Sequence, residues 1–220
     1  MLGDRDARIR AEGVLREARA VGWSGLPSAP DWPLVRLETD DIARGPWVYA
    51  RQVVEAPGVA DGALVAVEDA SGRFVGHALF NSGSDIRLRW LARGRKHALD
   101  RPGEFLSARL RAADDLRRRT LRLEEVTNAY RIAHAEGDDL PGLIVDRLGA
   151  VLVCEYHALG FLELRAEIEQ ALGRLYPGLE VVHRVPESAQ RSEKIPARAL
   201  PQEPAEAEEQ WIEEHGLTYP

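Results

Sequence analysis

The chain has one cysteine, Cys154, in 220 residues. An intramolecular disulfide is excluded, and the composition suits a reducing compartment, so a cytoplasmic protein is expected. No run approaches the roughly 18 apolar residues of a membrane span, so no membrane partner is expected. The N-terminus lacks the charged, apolar, small-residue succession of a signal peptide. The six histidines, His77, His97, His134, His157, His183 and His215, are scattered without H-x-x-x-H spacing, which leaves zinc without a ligand set. No serine stands in G-x-S-x-G, so a hydrolase elbow has no support. No two glycines are separated by a single residue, so even a weak G-x-G is missing. Lysine is nearly absent: Lys96 and Lys194 stand among 29 basic residues. The net charge of -7 argues against a uniformly basic nucleic-acid binder but leaves room for a local basic face.

The length suits one large or two small domains, and a 45% hydrophobic content is ordinary for a globular chain. Residues 4–21 read as a helix, with Ile9, Val14, Leu15, Ala18 and Val21 at helical spacing and Gly22 as its stop. Residues 23–33 read as a linker rich in Pro, Gly and Ser. From Leu34 to Leu91 the pattern is short strands with turns between them, which predicts a small barrel. Its expected parts are Leu34–Leu37, a helical turn at 40–45, a strand from Trp47 through Val54, Ala63–Glu68, Phe74–Phe80 and Ile86–Leu91.

Arg87 to Arg122 contains twelve Lys or Arg and four acids, and its second half predicts one basic helix over about 104–122. A strand from Tyr130 to His134 follows, then an acidic turn of Glu136, Gly137, Asp138 and Asp139, then a bend at Pro141 and Gly142. Leu143, Ile144 and Val145 form the next strand, closed by Asp146 and Gly149, and Val151–Glu155 another. One helix from Gly160 to Leu175, a strand over 179–185, a loop over 196–210 and a last strand over 211–219 complete the reading. The expected fold class is α+β: a β-barrel followed by a small α/β domain. The expected parts are an N-terminal helix and linker (1–33), a barrel (34–100), and a connecting helix with the α/β unit (101–220).

The string GDDLPGLIVDRLG, residues 137–149, resembles the E-x-D-x-LPGL-x-VD-x-(Y/L)-G signature of the large-subunit ribosomal RNA (cytosine-C5) methyltransferase family. GPWVYA at 45–50 resembles that family's H-PWVF-x motif, with Gly45 in place of His. VEDASGRFVGHALFNSGSDIRLRWL at 67–91 resembles the family's V-x-D-x-x-G-x-F-x-G pattern and its continuation through N-x-x-S-x-I-x-VR-x-L. The resemblance implies a PUA domain, then a central α/β domain, ahead of an S-adenosylmethionine-dependent Rossmann-type domain. The chain departs from the pattern where Lys194 and Ile195 replace the usual Gly-Leu. It also ends before the region in which the family carries its cofactor site and catalytic cysteines. The resemblance therefore implies S-adenosylmethionine for the full-length family but no cofactor in this chain.

Arginine holds RNA phosphates and aromatic rings stack on bases. The candidate RNA-binding residues are accordingly Trp47, Arg51, Arg87, Arg89, Arg93, Arg95 and Arg109, with Tyr49 beside them. The competing reading puts Trp47 in the core and the arginines on a solvated face. Glu136, Asp138, Asp139, Pro141 and Asp146 form the central motif. Its carboxylates are a candidate metal or acid–base cluster, weighed against capping of local N–H groups. Cys154 reads as core. No catalytic residue and no metal are expected. The function expected is RNA recognition for a ribosomal RNA methyltransferase, with structured ribosomal RNA and a separate catalytic domain as partners. The alternatives are a stand-alone, non-enzymatic ribosome-associated module and, more weakly, a small metal-dependent enzyme.

Overall fold

The computed structural model describes residues 32–42, 44–54, 56–94, 98–202 and 211–220. The helix expected over 4–21, nearly all of the linker, Arg95, and residues 203–210 of the expected loop lie outside the described residues.

Strands β1 (Leu34–Arg36), β2 (Trp47–Tyr49), β3 (Leu64–Glu68), β4 (Phe74–Phe80) and β5 (Ile86–Arg93) form one sheet in the order β1-β3-β4-β5-β2. β1 runs parallel to β3, and the other pairs are antiparallel. Alternation puts Val35, Val48, Val65, Val67, Ala78, Phe80, Leu88 and Trp90 on one inner face, and the sheet curls around them as a half-barrel. A bridge between Leu37 and Val53 ties its two edges together. The β3–β4 hairpin closes on Asp69, whose buried carboxylate accepts from the Ser71 hydroxyl (2.7 Å), the Arg73 N–H (2.9 Å) and the Arg73 guanidinium (2.9 Å). The Ser71 hydroxyl, with Arg73, holds this carboxyl down at about 2, against the opposing effect of burial. Two expectations are corrected here. The described residues of 40–45 make bends rather than a helical turn, and the strand through Val54 is broken by a 3₁₀ turn at Ala50–Gln52. That turn sends Val53 to pair with Leu37 instead of continuing β2.

Helix α1 (Pro102–Asp115) starts with Pro at its first position, where the missing N–H costs nothing. It buries Phe105, Leu106, Leu110 and Ala113, and continues through a π-helical turn at Leu116–Thr120. Strands β6 (Ala129–His134), β7 (Leu143–Leu148) and β8 (Val151–Tyr156) form a meander. Two helices, α2 (Leu159–Glu163) and α3 (Arg165–Leu175), carry the chain to β9 (Glu180–Arg184), which pairs parallel with β8. The single helix expected from Gly160 is thus broken at Leu164, whose ψ of 16° leaves the helical range. Asp146 lies within β7 rather than closing it, opposite Arg131 on β6. The LPGL run makes the entry to β7: Leu140, Pro141 and Leu143 are buried, and Gly142 has φ +101°. A Cβ at Gly142 would stand 2.8 Å from the Ala158 Cβ, so glycine is required there.

After α4 (Glu187–Ser192) the chain ends in a hairpin, β10 (Ile212–Glu214) with β11 (Leu217–Tyr219), where one strand is expected. His215 and Gly216, both at positive φ, make its turn. The two sheets share a core. Leu64, Leu79, Leu91 and Ala92 of the first belong to the same buried cluster as Tyr156, Phe161 and Leu162 of the second unit. Gly160 allows the close approach, since a Cβ there would stand 2.7 Å from Leu79 Cδ2.

Candidate nucleic-acid interface

Arg89, on an apolar strand, reads in the sequence as solvent-facing. In the fold it points into the junction of the two sheets and is 7% exposed. Its guanidinium donates to Glu193 Oε1 (2.9 Å) and to the His157 carbonyl (3.3 Å). Glu193 is itself buried and also accepts from Ser84 Oγ (2.8 Å), Asn81 Nδ2 (3.1 Å) and the Leu159 N–H (3.3 Å). A second link crosses nearby: the Trp47 indole N–H donates to Glu136 Oε1 (3.0 Å), which lies 3.8 Å from Arg89. Arg89 and Trp47 are therefore junction residues. Arg89 thus lies inside the junction, paired with Glu193, rather than on the exposed face that its place in the sequence suggests.

The acidic turn is similarly committed. Arg117 grips Asp138 with two bonds (2.5 and 2.8 Å), while Asp138 also accepts the His134 N–H (2.6 Å). Arg109 binds Asp139 (2.7 Å), and Arg131 binds Asp146 through two bonds (2.8 and 3.0 Å). The four carboxylates thus go to separate cationic or indole partners, and among the described residues no group of three His, Cys, Asp or Glu is placed to hold a metal. Carboxylates also pair most cations of the basic helix, although among the described residues Arg111 has no such partner. Arg118 meets Glu124 (2.7 Å), Arg119 meets Asp115 (3.0 Å) and Arg122 meets Glu125 (2.5 Å). Arg109 pairs with Asp139 and lies over the Phe105 ring. Cys154 is fully buried, and burial pushes its thiol up to about 12, which suits packing rather than nucleophilic chemistry.

Arg51 and Arg87 gather elsewhere, around the loop at 81–85. Tyr49 pairs with Ile86, and the Ala50 N–H donates to the Asp85 carbonyl (2.9 Å), which brings exposed Tyr49 and Arg51 to this loop. Arg87 donates to the carbonyls of Asn81 and Ser82. Asn81 reaches the Glu193 carbonyl (2.8 Å), and the next residue, Lys194, lies across Gly83: a Cβ there would stand 3.3 Å from the Lys194 Cβ. Among the described residues none of Arg51, Arg87 and Lys194 has a carboxylate partner, although Asp61 and Asp85 are close by. Lys194 was not among the sequence candidates. Its signal was the departure from Gly-Leu, and the structure gives it φ +50°, the left-handed region that favours glycine. Arg93 lies at the far end of β5 from Arg87. It stacks on Trp90 (4.7 Å) and donates to the Gly45 carbonyl.

A cavity of about 310 Å³ lies beside Arg93, lined by Ile42, Arg73, Phe74, Val75, Trp90 and Gly94 as well. Among the described residues two guanidinium groups and no carboxylate line it. It does not fit S-adenosylmethionine, whose sulfonium is a cation. Neither sheet is a doubly wound parallel sheet of the kind that carries such a site.

With this geometry in hand, the first sheet can be classed: residues 41–93 match the model of a PUA-like domain. The chain is also similar to proteins called ribosomal RNA large subunit methyltransferase I. It is 32% identical to that of Erwinia tasmaniensis over 155 residues, 70% of this chain and 38% of the relative. It is 30% identical to that of Pseudoalteromonas translucida over 142 residues, covering 63% and 35%. Against that of Aeromonas hydrophila the identity is 29%, covering 76% and 43%. The chain thus spans less than half the length of these curated relatives. Among solved structures, a protein described as a methyltransferase and complexed with SAH overlays with a TM-score of 0.57 at 16% identity, covering 84% of this chain and 46% of the other. A protein from Streptococcus mutans described as SAM-dependent overlays at 0.56 and 17% identity, covering 79% and 43%. At these identities the overlays establish a shared fold.

Proposed function

We propose that this chain is the RNA-recognition portion of a ribosomal RNA (cytosine-C5) methyltransferase-like protein, acting in the cytoplasm on structured ribosomal RNA. Residues 34–100 serve as its RNA-binding barrel and 101–220 as the unit that positions it. Transfer of the methyl group from S-adenosylmethionine belongs to a catalytic domain other than these two sheets, and that domain is the second partner. The observation that carries the reading is the rim formed by Tyr49, Arg51, Arg87 and Lys194 at the edge of a PUA-like sheet. The three cations are available for phosphates, and Tyr49, 44% exposed, offers a ring for stacking. Lys194 supports the reading further. A left-handed backbone costs a non-glycine residue about 1–2 kcal/mol, and its side chain delivers charge to the rim. The test is fluorescence anisotropy with structured fragments of large-subunit ribosomal RNA. Binding should be saturable and stronger than to duplex DNA of equal length, and should weaken in Arg51→Ala/Arg87→Ala/Lys194→Ala. Equal binding to both nucleic acids, or an unaffected triple variant, would overturn the reading.

A further inference from the structure

The cavity at the other end of β5 is a site that the proposed function leaves unused. Its floor is built by an unusual contact. Gly76 on β4 has no room for a side chain, since a Cβ there would lie 2.4 Å from the Ala92 carbonyl oxygen. The same Cβ would be 3.0 Å from Trp90 Cζ3, so the missing side chain lets the indole lie against the strand. The Arg93 guanidinium sits 4.7 Å above that indole and is held from the side by the Gly45 carbonyl. A guanidinium supported in this way is a flat cationic plate, and such plates stack on nucleobases as aromatic rings do. Phe74, half-buried, supplies a second apolar wall. Arg73 closes the site from the hairpin: Asp69 takes part of its guanidinium (2.8 Å), yet its side chain is 71% exposed. The rim is open at Gly94, where a Cβ would meet nothing within 4 Å. At about 310 Å³ the space is at the small end of ligand pockets.

We infer that this cavity binds one unstacked nucleotide, with the base on the Arg93 plate beside Phe74 and the phosphate toward Arg73. The geometry asks for a planar aromatic group joined to an anion. A free ribonucleoside monophosphate and a single nucleotide extruded from an RNA strand both meet that requirement. The inference rests on the cavity and is independent of the rim.

The experiment follows the Trp90 indole N–H, which makes no hydrogen bond, and the Gly94 amide by NMR in the full chain. Uridine and adenosine monophosphate are titrated separately, with inorganic phosphate and ribose 5-phosphate as controls, and then a short RNA carrying one bulged nucleotide. A nucleotide should shift both signals saturably where the two controls do not. Arg93→Lys keeps the charge and loses the plate, and should weaken binding about tenfold. Because that change is conservative, the unligated spectrum reports whether the fold is kept. Shifts with the bulged RNA assign the source to an RNA strand, and shifts with mononucleotides alone assign it to free nucleotide. No saturable shift at millimolar concentration from any nucleotide or RNA would overturn the inference, as would equal shifts from phosphate alone or no loss in Arg93→Lys. Should Arg51→Ala/Arg87→Ala/Lys194→Ala leave RNA binding intact while mononucleotides still shift Trp90, the rim reading fails and the cavity stands.

Discussion

The basic helix and the 81–85 rim differ in a way their sequences do not advertise. The helix and its π-turn carry the denser charge, but Arg109, Arg117, Arg118 and Arg119 each meet a carboxylate, which leaves Arg111 as the exception among the described residues there. The rim has three cations from three distant segments, and among the described residues none of them meets one. Counterion release rewards only cations that neutralise phosphates. A guanidinium already gripping Asp138 through two bonds must first give up that partner. Charge counted along a chain is therefore a poor guide to charge available at a surface, and the folded pairing decides.

That contrast depends on the junction that assembles the rim, so the largest expected effect lies there. Arg89→Ala leaves Glu193 buried without its cation and should cost about 3–5 kcal/mol, read by urea unfolding. Arg89→Met with Glu193→Gln should recover part of the loss, because the neutral amide avoids the uncompensated charge while its oxygen can still accept from the buried donors around it. An Arg89→Ala variant as stable as the parent would show that the junction does not rest on this pair.

The next effect concerns the approach of the two units. Gly160→Ala drives a methyl into Leu79 and should cost about 1–3 kcal/mol, again by unfolding. A neutral result would mean that α2 can move away from β4, and that the rim's two sides are not rigidly held.

Asp69 supplies a control on the barrel that is remote from the rim. Its folded carboxyl lies near 2, below the ordinary 3.8. A depressed carboxylate stabilises above its unfolded value and loses that contribution as pH falls. The stability difference between the parent and Asp69→Asn should thus hold above about pH 4 and shrink as pH falls toward about 2. A difference that is flat across this window would remove Asp69 as the hairpin's anchor.

The smallest change in stability is expected at the rim itself. Lys194→Gly relieves the left-handed backbone but frees the unfolded chain, so the net should stay within about 1 kcal/mol. RNA binding should still weaken, with the salt slope falling by about one unit. Loss of stability without loss of affinity would make Lys194 a packing residue.

How far the sequence reached follows from the range of the interactions. The strands β3, β4, β6, β7 and β8 were legible because alternation and turn residues are local. The acidic turn was legible as a turn, but its arginine partners come from α1 and the π-turn. The junction was not legible: Trp47 meets Glu136 across 89 positions, and Arg89 meets Glu193 across 104. An arginine on an apolar strand reads as exposed until the second sheet that covers it is known. Lys194 escaped notice because a replaced glycine marks only a departure, and its meaning appears once its φ and its neighbour Gly83 are seen.

The contrast between rim and helix is tested most directly by the salt dependence of ribosomal RNA binding in two triple variants. One is Arg51→Ala/Arg87→Ala/Lys194→Ala, and the other is Arg109→Ala/Arg117→Ala/Arg118→Ala. The rim variant should flatten the slope of log affinity against log salt by about three units, one per lost phosphate contact. The helix variant should lower stability and leave that slope near the parent's at temperatures where it stays folded. A helix variant that flattens the slope beside a rim variant that does not would contradict the account.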